Sequence, residues 1–369
     1  MSWKLFVGGL AVVALGVLGL FAVGVTAQAQ APDLFFSPGR NVNTLGPSPS
    51  GPSPALAGNP KHKQRNEASC DVSPQNPWVV LCANNDYRGI ELFGDSWIGL
   101  SMSTDGARTW RDRLLDGFPA SPQGKGAADP VVRTVPGLGL VSYITLSRTD
   151  SRGTLSLALL HERNKENGEP YQFFQTRLIG SGTPGRFNDK PAMLTTLDPA
   201  GGSIDVGGRT IPKGTVHFGY ALFPGNENNS DSQIFHTFSK DYGLTWSSPK
   251  KLSASLGFNQ GVDLAVDDAT DTVIAVWRHV ADGNEPDAMA FSRSTDGGQT
   301  WSKPTALWTP APNSFFDQDT SAIQFRTRSM PSIVHDGQAF HAFWSARGFA
   351  AHPDDARIVR SSVRLISDS

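Results

Sequence analysis

The sequence predicts an all-β protein built from repeated four-stranded antiparallel units, and three observations carry that expectation. A turn motif recurs along the chain, glycine and proline reach 38 and 26 of 369 residues, and long amphipathic helical periods are few. Short apolar runs bounded by polar turns follow one another through residues 61–369.

The recurring motif is S-x-D-x-G-x-T-W. One copy is Ser294, Asp296, Gly298, Thr300 and Trp301, a second is Ser239, Asp241, Gly243, Thr245 and Trp246. A third has Ser103, Asp105, Thr109 and Trp110, with Ala107 in place of glycine. Asn164, Glu166, Gly168 and Tyr171 form an eroded fourth copy. The acidic residues at 105, 166, 241 and 296 are spaced by 61, 75 and 55 residues, as expected of one structural unit with variable insertions. Each copy lies between two strand-like runs, which predicts a hairpin turn. Its Asp carboxylate can accept several backbone N–H groups within the turn, its Gly takes the positive φ, and its Trp packs on the hairpin. An acid in the same role on every unit is structural rather than catalytic.

Taken in order, residues 1–30 read as an export signal. Lys4 precedes an apolar run from Leu5 to Val25, and Ala27-Gln28-Ala29 and Ala29-Gln30-Ala31 supply small-x-small cleavage sequences. At about 1.5 Å per residue the run would also span a bilayer, so a retained anchor over residues 5–25 is the alternative and the only route to a membrane partner. Either way the remainder is expected outside the cytoplasm. Residues 31–60 form a Pro/Gly/Ser-rich linker, in which "DLFF" is a stray strand-like run. Cys70 and Cys82 flank a strand–turn–strand sequence, so facing hairpin positions and an oxidising compartment predict a disulfide between them.

Each unit of the 61–369 domain opens with a polar motif and an apolar strand: "NEASCDV", "ADPVVRTV", "NDKPAML", "NQGVDLAV" and "RSMPSIV". A second strand follows each, a third leads into the turn motif and a fourth leaves it. Four units are complete, near 66–120, 127–182, 188–255 and 258–310. A fifth begins near 326 and ends after its third strand, so the domain is expected to be C-terminally incomplete.

With four-stranded units and these turns, the chain resembles the sialidase-like Asp-box β-propellers, and the resemblance covers roughly residues 60 to 369. It implies a central pocket formed by loops before the first strands and after the second strands. Residues at those places are Arg65, Glu67, Asp129, Asp189, Lys190 and Arg328, and Asp86, Arg88, Arg148, Arg278 and Arg347. The pairs 129/148, 259/278 and 328/347 are each 19 residues apart. Guanidinium groups pair bidentately with carboxylates, so such a pocket implies a glycan or another anionic small ligand, while strand-end salt bridges are the structural alternative.

The family's own chemistry uses an arginine triad, an Asp acid/base and a late Tyr nucleophile with its Glu partner. Tyrosines occur only at 87, 143, 171, 220 and 242, so the nucleophile is missing from its usual place and no sialidase catalytic residue carries over. Glu67, Asp129 and Asp189 are the carboxylates that could run another glycosidase mechanism. Three readings follow: an exported propeller that binds a glycan or anionic ligand, a glycoside hydrolase using those carboxylates, or a truncated propeller without function. A net charge of −2 gives no basic surface for nucleic acid, and Cys/His spacing indicates neither a metal site nor a cofactor.

Overall fold

The computed structural model describes residues 65–88, 90, 95–116, 124–147, 152–163, 169–225, 231–253, 257–280, 287–309, 329–349 and 356–363. The signal or anchor segment, the linker, Arg148, Glu166, Gly168 and Arg328 lie outside them.

Blade I is the sheet β1 (Arg65–Val72), β2 (Val80–Asp86), β3 (Trp97–Ser103) and β4 (Arg111–Leu114). Blade II follows as β5 (Gly124–Val135), β6 (Leu138–Ser147), β7 (Gly153–Glu162) and β8 (Tyr171–Gly180), joined to the next blade by one parallel pair, Gly153 with Phe187. Blade III is interrupted: after β9 (Arg186–Leu197) a small hairpin of β10 (Ser203–Asp205) and β11 (Thr210–Pro212) intervenes. The blade then resumes with β12 (Gly214–Pro224), β13 (Gln233–Ser239) and β14 (Lys250–Lys251). Blade IV is β15 (Phe258–Asp267), β16 (Thr272–Val280), β17 (Ala288–Ser294) and β18 (Thr305–Trp308). Blade V has β19 (Ser332–His335), β20 (Phe340–Ala346) and β21 (Arg357–Val363). The strands of blades I to IV lie within a few residues of the units read from the sequence.

The cores lie between blades, which explains why many strands are apolar without alternation. On β7, Leu157 and Leu159 belong to the same buried cluster as Val216, Phe218 and Trp277, while Ala158 and Leu160 belong to a second one with Leu81, Leu100 and Val141. Successive side chains leave opposite faces, so a strand covered on both sides must be apolar at every position. A third cluster joins blades IV and V through Ile274, Met289, Phe340 and Trp344. Polar bonds link neighbouring inner strands: Asp71 on β1 accepts the Thr134 amide of β5 at 2.8 Å, and Asp263 on β15 accepts the Ile333 amide of β19 at 3.0 Å.

The three described turn motifs share one bonding pattern. Asp105, Asp241 and Asp296 each accept the hydroxyl of the Ser two residues before, at 2.9, 2.7 and 2.7 Å, and the hydroxyl of the Thr four residues after, each at 2.6 Å. The Ser oxygen in turn accepts the amide of Ala107, Gly243 or Gly298 at 2.9, 2.7 and 2.8 Å. Trp110 and Trp301 close their turns by donating to the carbonyls of Ala107 and Gly298. Ala107 holds φ 67°, so it adopts the left-handed backbone of its glycine counterparts. The bond from Thr109 draws the Asp105 carboxyl down to about 2. At Asp296 the Thr300 and Ser294 bonds outweigh the opposing effect of burial and hold it at about 2. These carboxylates are the staples of hairpins between the third and fourth strands of a β-propeller's blades.

Cys70 and Cys82 are register partners on β1 and β2, with Cα atoms 4.0 Å apart, and they form the expected disulfide.

Candidate functional site

The candidate site rests on a defect repeated in the inner strands. The pairing of β1, β5, β9 and β15 with the next strand slips at a bulge, between Asn66 and Ser69, Ala128 and Val131, Asp189 and Ala192, and Gln260 and Asp263. The bulge residues Glu67, Asp129, Lys190 and Gly261 all adopt positive φ, at 53°, 55°, 46° and 70°. A left-handed non-glycine residue costs of order 1–3 kcal/mol and persists only where its surroundings enforce it. A bulge also re-aims a side chain out of the ladder. Here it turns three charged side chains from three blades onto one another.

The Lys190 ammonium lies 2.8 Å from Glu67 Oε2 and 3.4 Å from Asp129 Oδ1. Asp189, just before the third bulge, accepts a 2.9 Å bond from Gln260 of blade IV. Asn85, at the end of β2, accepts the Asp129 amide at 2.8 Å and donates to Glu67 at 3.4 Å. Glu67 is the open member, with its side chain 40% exposed against 11% for Asp129. Met330, two residues before β19, fills the place opposite Gly261, where a Cβ would come within 2.5 Å of its Cγ.

The hydrogen bond to Asp129, then burial and the charge of Asp129, raise the Glu67 carboxyl. Burial above all, with the nearby Asp189 charge, raises Asp129 in spite of the Glu67 bond. Burial alone would lower Lys190, but Asp129, Glu67 and Asp189 together outweigh it and raise the ammonium. The cluster therefore keeps its lysine charged and favours a proton on the Glu67–Asp129 pair, a combination of hydrogen-bond donor and acceptors at one solvent-facing point.

The arginines expected around this point divide differently. Arg65 and Arg88 each reach both Asp86 and Asp112, with contacts of 3.1, 2.6, 2.9 and 2.8 Å, in a buried set of two cations and two anions within blade I. Gly99 makes room for it, since a Cβ there would lie 2.7 Å from Asp86 Oδ2. These four charges pair with one another, as strand-end salt bridges would. Arg278 stands opposite Gln260 in the β15–β16 ladder, and Arg347 directly follows β20. Tyr143, Tyr171, Tyr220 and Tyr242 are buried, and that burial pushes the phenols up, Tyr220 and Tyr242 to about 12.

Sequence reasoning placed Glu67, Asp129, Asp189 and Lys190 together but missed Asn85, Gln260 and Asp112. Their only signal was position: Asn85 closes a second strand, Gln260 precedes a bulge glycine, and Asp112 lies on an outer strand.

No family model and no curated protein matches the chain. Among solved structures, it aligns with Trypanosoma rangeli sialidase in complex with the inhibitor DANA at 12% identity and TM-score 0.46, over 82% of this chain and 55% of that one. An N-acetylgalactosamine deacetylase from F. plautii in complex with blood group B trisaccharide aligns at 12% identity and TM-score 0.45, over 82% and 90% of the two chains. Native Bacillus subtilis arabinanase aligns at 10% identity and TM-score 0.43, over 82% and 94%.

Proposed function

We propose that the protein is an exported glycan-binding propeller whose ligand sits on the cluster of Glu67, Asp129, Asp189 and Lys190. The observation that carries this reading is the convergence of three left-handed bulge residues from three blades on one partly exposed point, a costly arrangement. Three carboxyl groups and one ammonium offer acceptors and a donor to sugar hydroxyls. With Arg65 and Arg88 engaged by Asp86 and Asp112, this reading favours a neutral hydroxyl-rich ligand over the acidic sugar that an arginine pocket would take.

A second reading, glycoside hydrolysis, is favoured by the raised carboxyl of half-exposed Glu67, as a general acid requires. Against it, the Glu67 carboxyl is hydrogen-bonded to that of Asp129, closer than the roughly 5–9.5 Å at which hydrolytic carboxyl pairs flank the scissile bond. In that reading Asp129 sets the proton affinity of Glu67, and Asp189 is the remaining base. Incubating folded protein with a panel of fluorogenic glycosides separates the two. The binding reading expects no turnover; hydrolysis abolished in Glu67→Gln would replace it with the enzymatic one.

A further inference from the structure

Blade V carries a second polar cluster, built on one hairpin and one strand pair. Between β19 and β20 the turn Asp336-Gly337-Gln338 is tight: Gly337 takes φ 90°, and the Asp336 amide donates to the Ala339 carbonyl at 3.1 Å. Asp336 Oδ1 accepts the amides of Gln338 and Ala339 at 2.9 and 2.8 Å, which fixes the carboxylate at the end of the hairpin. Its other oxygen, Oδ2, lies 2.8 Å from His341 Nε2. On β20, His341 stands directly opposite Ser362 of β21, and its Nδ1 lies 2.8 Å from Ser362 Oγ.

The carboxylate decides how the imidazole is used. The two turn amides, then the His341 bond, hold the Asp336 carboxyl below the usual range, so it only accepts hydrogen bonds. A neutral imidazole has a proton on one nitrogen and a lone pair on the other. With Nε2 donating to Asp336, Nδ1 keeps the lone pair, and the Ser362 hydroxyl is the donor to it. A hydroxyl, a base aimed at it and a carboxylate holding the base in one tautomer are the parts of an activated serine, recognised by geometry and roles rather than by chain order. The pairing of β20 with β21 has no bulge, so Val334, His341, Phe343, Ser362 and Arg360 share one face of the sheet. Val334 is 50% exposed, Arg360 is exposed, and His341, Phe343 and Ser362 are half-buried, which leaves the hydroxyl on a partly open, mostly apolar surface.

We propose that Ser362 and His341, positioned by Asp336, form an acyl-transfer centre that hydrolyses carboxylic esters with a short apolar acyl group. Ser362 Oγ attacks the ester carbonyl carbon while its proton passes to His341 Nδ1. The ester C–O bond then breaks, and the departing alkoxide takes that proton and leaves as the alcohol. Water cleaves the acyl-serine by the same route, releasing the carboxylic acid and restoring the hydroxyl, so the net reaction consumes one ester and one water. Arg360, two positions along the same face, is the cation available to the oxyanion, and Val334 and Phe343 offer apolar surface to the acyl chain. None of these residues belongs to the Glu67 cluster, so the proposal stands or falls independently of the glycan reading.

Reacting the full chain with a fluorophosphonate, and separately with para-nitrophenyl butyrate, tests the assignment. The expected result is a phosphonyl label located at Ser362 by peptide mass, and ester turnover that Ser362→Ala reduces to the rate in buffer. His341→Phe should lower both rates by about 100-fold or more. Asp336→Asn separates orientation of the ring from folding of the turn. The Asn carbonyl can still accept the Gln338 and Ala339 amides, whereas its NH2 donates to Nε2 and forces the ring proton onto Nδ1. This variant should keep the wild-type unfolding midpoint, show the shifted His341 proton in nitrogen NMR spectra, and label about ten-fold or more slowly. Folded wild type that takes no label at Ser362 would overturn the proposal without recourse to any variant. Labelling of His341→Phe or Asp336→Asn at the wild-type rate would overturn it as well.

Discussion

Lowering the pH from 8 to 5 should weaken this protein through two histidines buried in blade III. His217 on β12 and His236 on β13 are 3% and 0% exposed, and His217 Nδ1 lies 3.3 Å from His236 Nε2. Trp301 meets the His236 ring edge-on at 4.8 Å, and Lys240 adds an unfavourable charge for protonated His217. Burial holds His217 at about 4 and His236 well below its ordinary value. Both rings are therefore neutral in the fold, and the unfolded chain binds protons from about 6.5 downward. Stability from this source is full above pH 6.5, falls as pH drops, and stops falling once the folded groups titrate. For His217 alone the loss between pH 8 and 5 is about 2 kcal/mol, and His236 adds in the same direction. Urea unfolding followed by tryptophan fluorescence at pH 8, 6 and 5 measures the slope, and His217→Phe should flatten it whatever its cost at pH 8. A slope that is identical in wild type and variant, or absent in both, would refute the argument.

Further outcomes follow from the turns and the disulfide. Gly298→Ala places a Cβ 2.5 Å from His236 Cε1 at φ 90° and should cost at least about 2 kcal/mol in urea unfolding. Gly208→Ala, at φ 81° with nothing within 4 Å, should cost only about 1 kcal/mol of backbone strain by the same measurement. Asp296→Ala removes the acceptor of three bonds in an exposed turn and should cost about 1 kcal/mol. That difference should vanish as pH falls through the range between 4 and 2, since the native carboxyl is depressed. Reduction of the 70–82 disulfide, with 12 residues of separation, should lower stability by about 3 kcal/mol in unfolding curves with and without reductant.

The fold was legible because its signals are local. Ser, Asp, Gly, Thr and Trp at fixed intervals specify a turn whose bonds all close within eight residues of chain, so the pattern predicts both hairpin and strand order. Ala107 shows how far this holds, since its neighbours enforce the left-handed backbone without glycine. The site was only half legible. Glu67, Asp129 and Lys190 could be placed at the mouths of first strands, but the bulges that aim them inward leave no mark beyond Glu-Ala, Asp-Pro and Lys-Pro. The pairing of Arg65 and Arg88 with Asp112 could not be read from the sequence because Asp112 lies on the outer strand of the same blade, a pairing set by tertiary packing. Asn85 and Gln260 were invisible for the same reason.

The most direct test of the central claim is calorimetric titration of the folded protein with a panel of neutral and acidic oligosaccharides. Wild type should be compared with the variant Glu67→Gln/Asp129→Asn. The account predicts saturable binding of at least one neutral glycan, lost in the double variant without a change in fold. Folded wild type that binds no glycan, or binding that survives both substitutions, would contradict it.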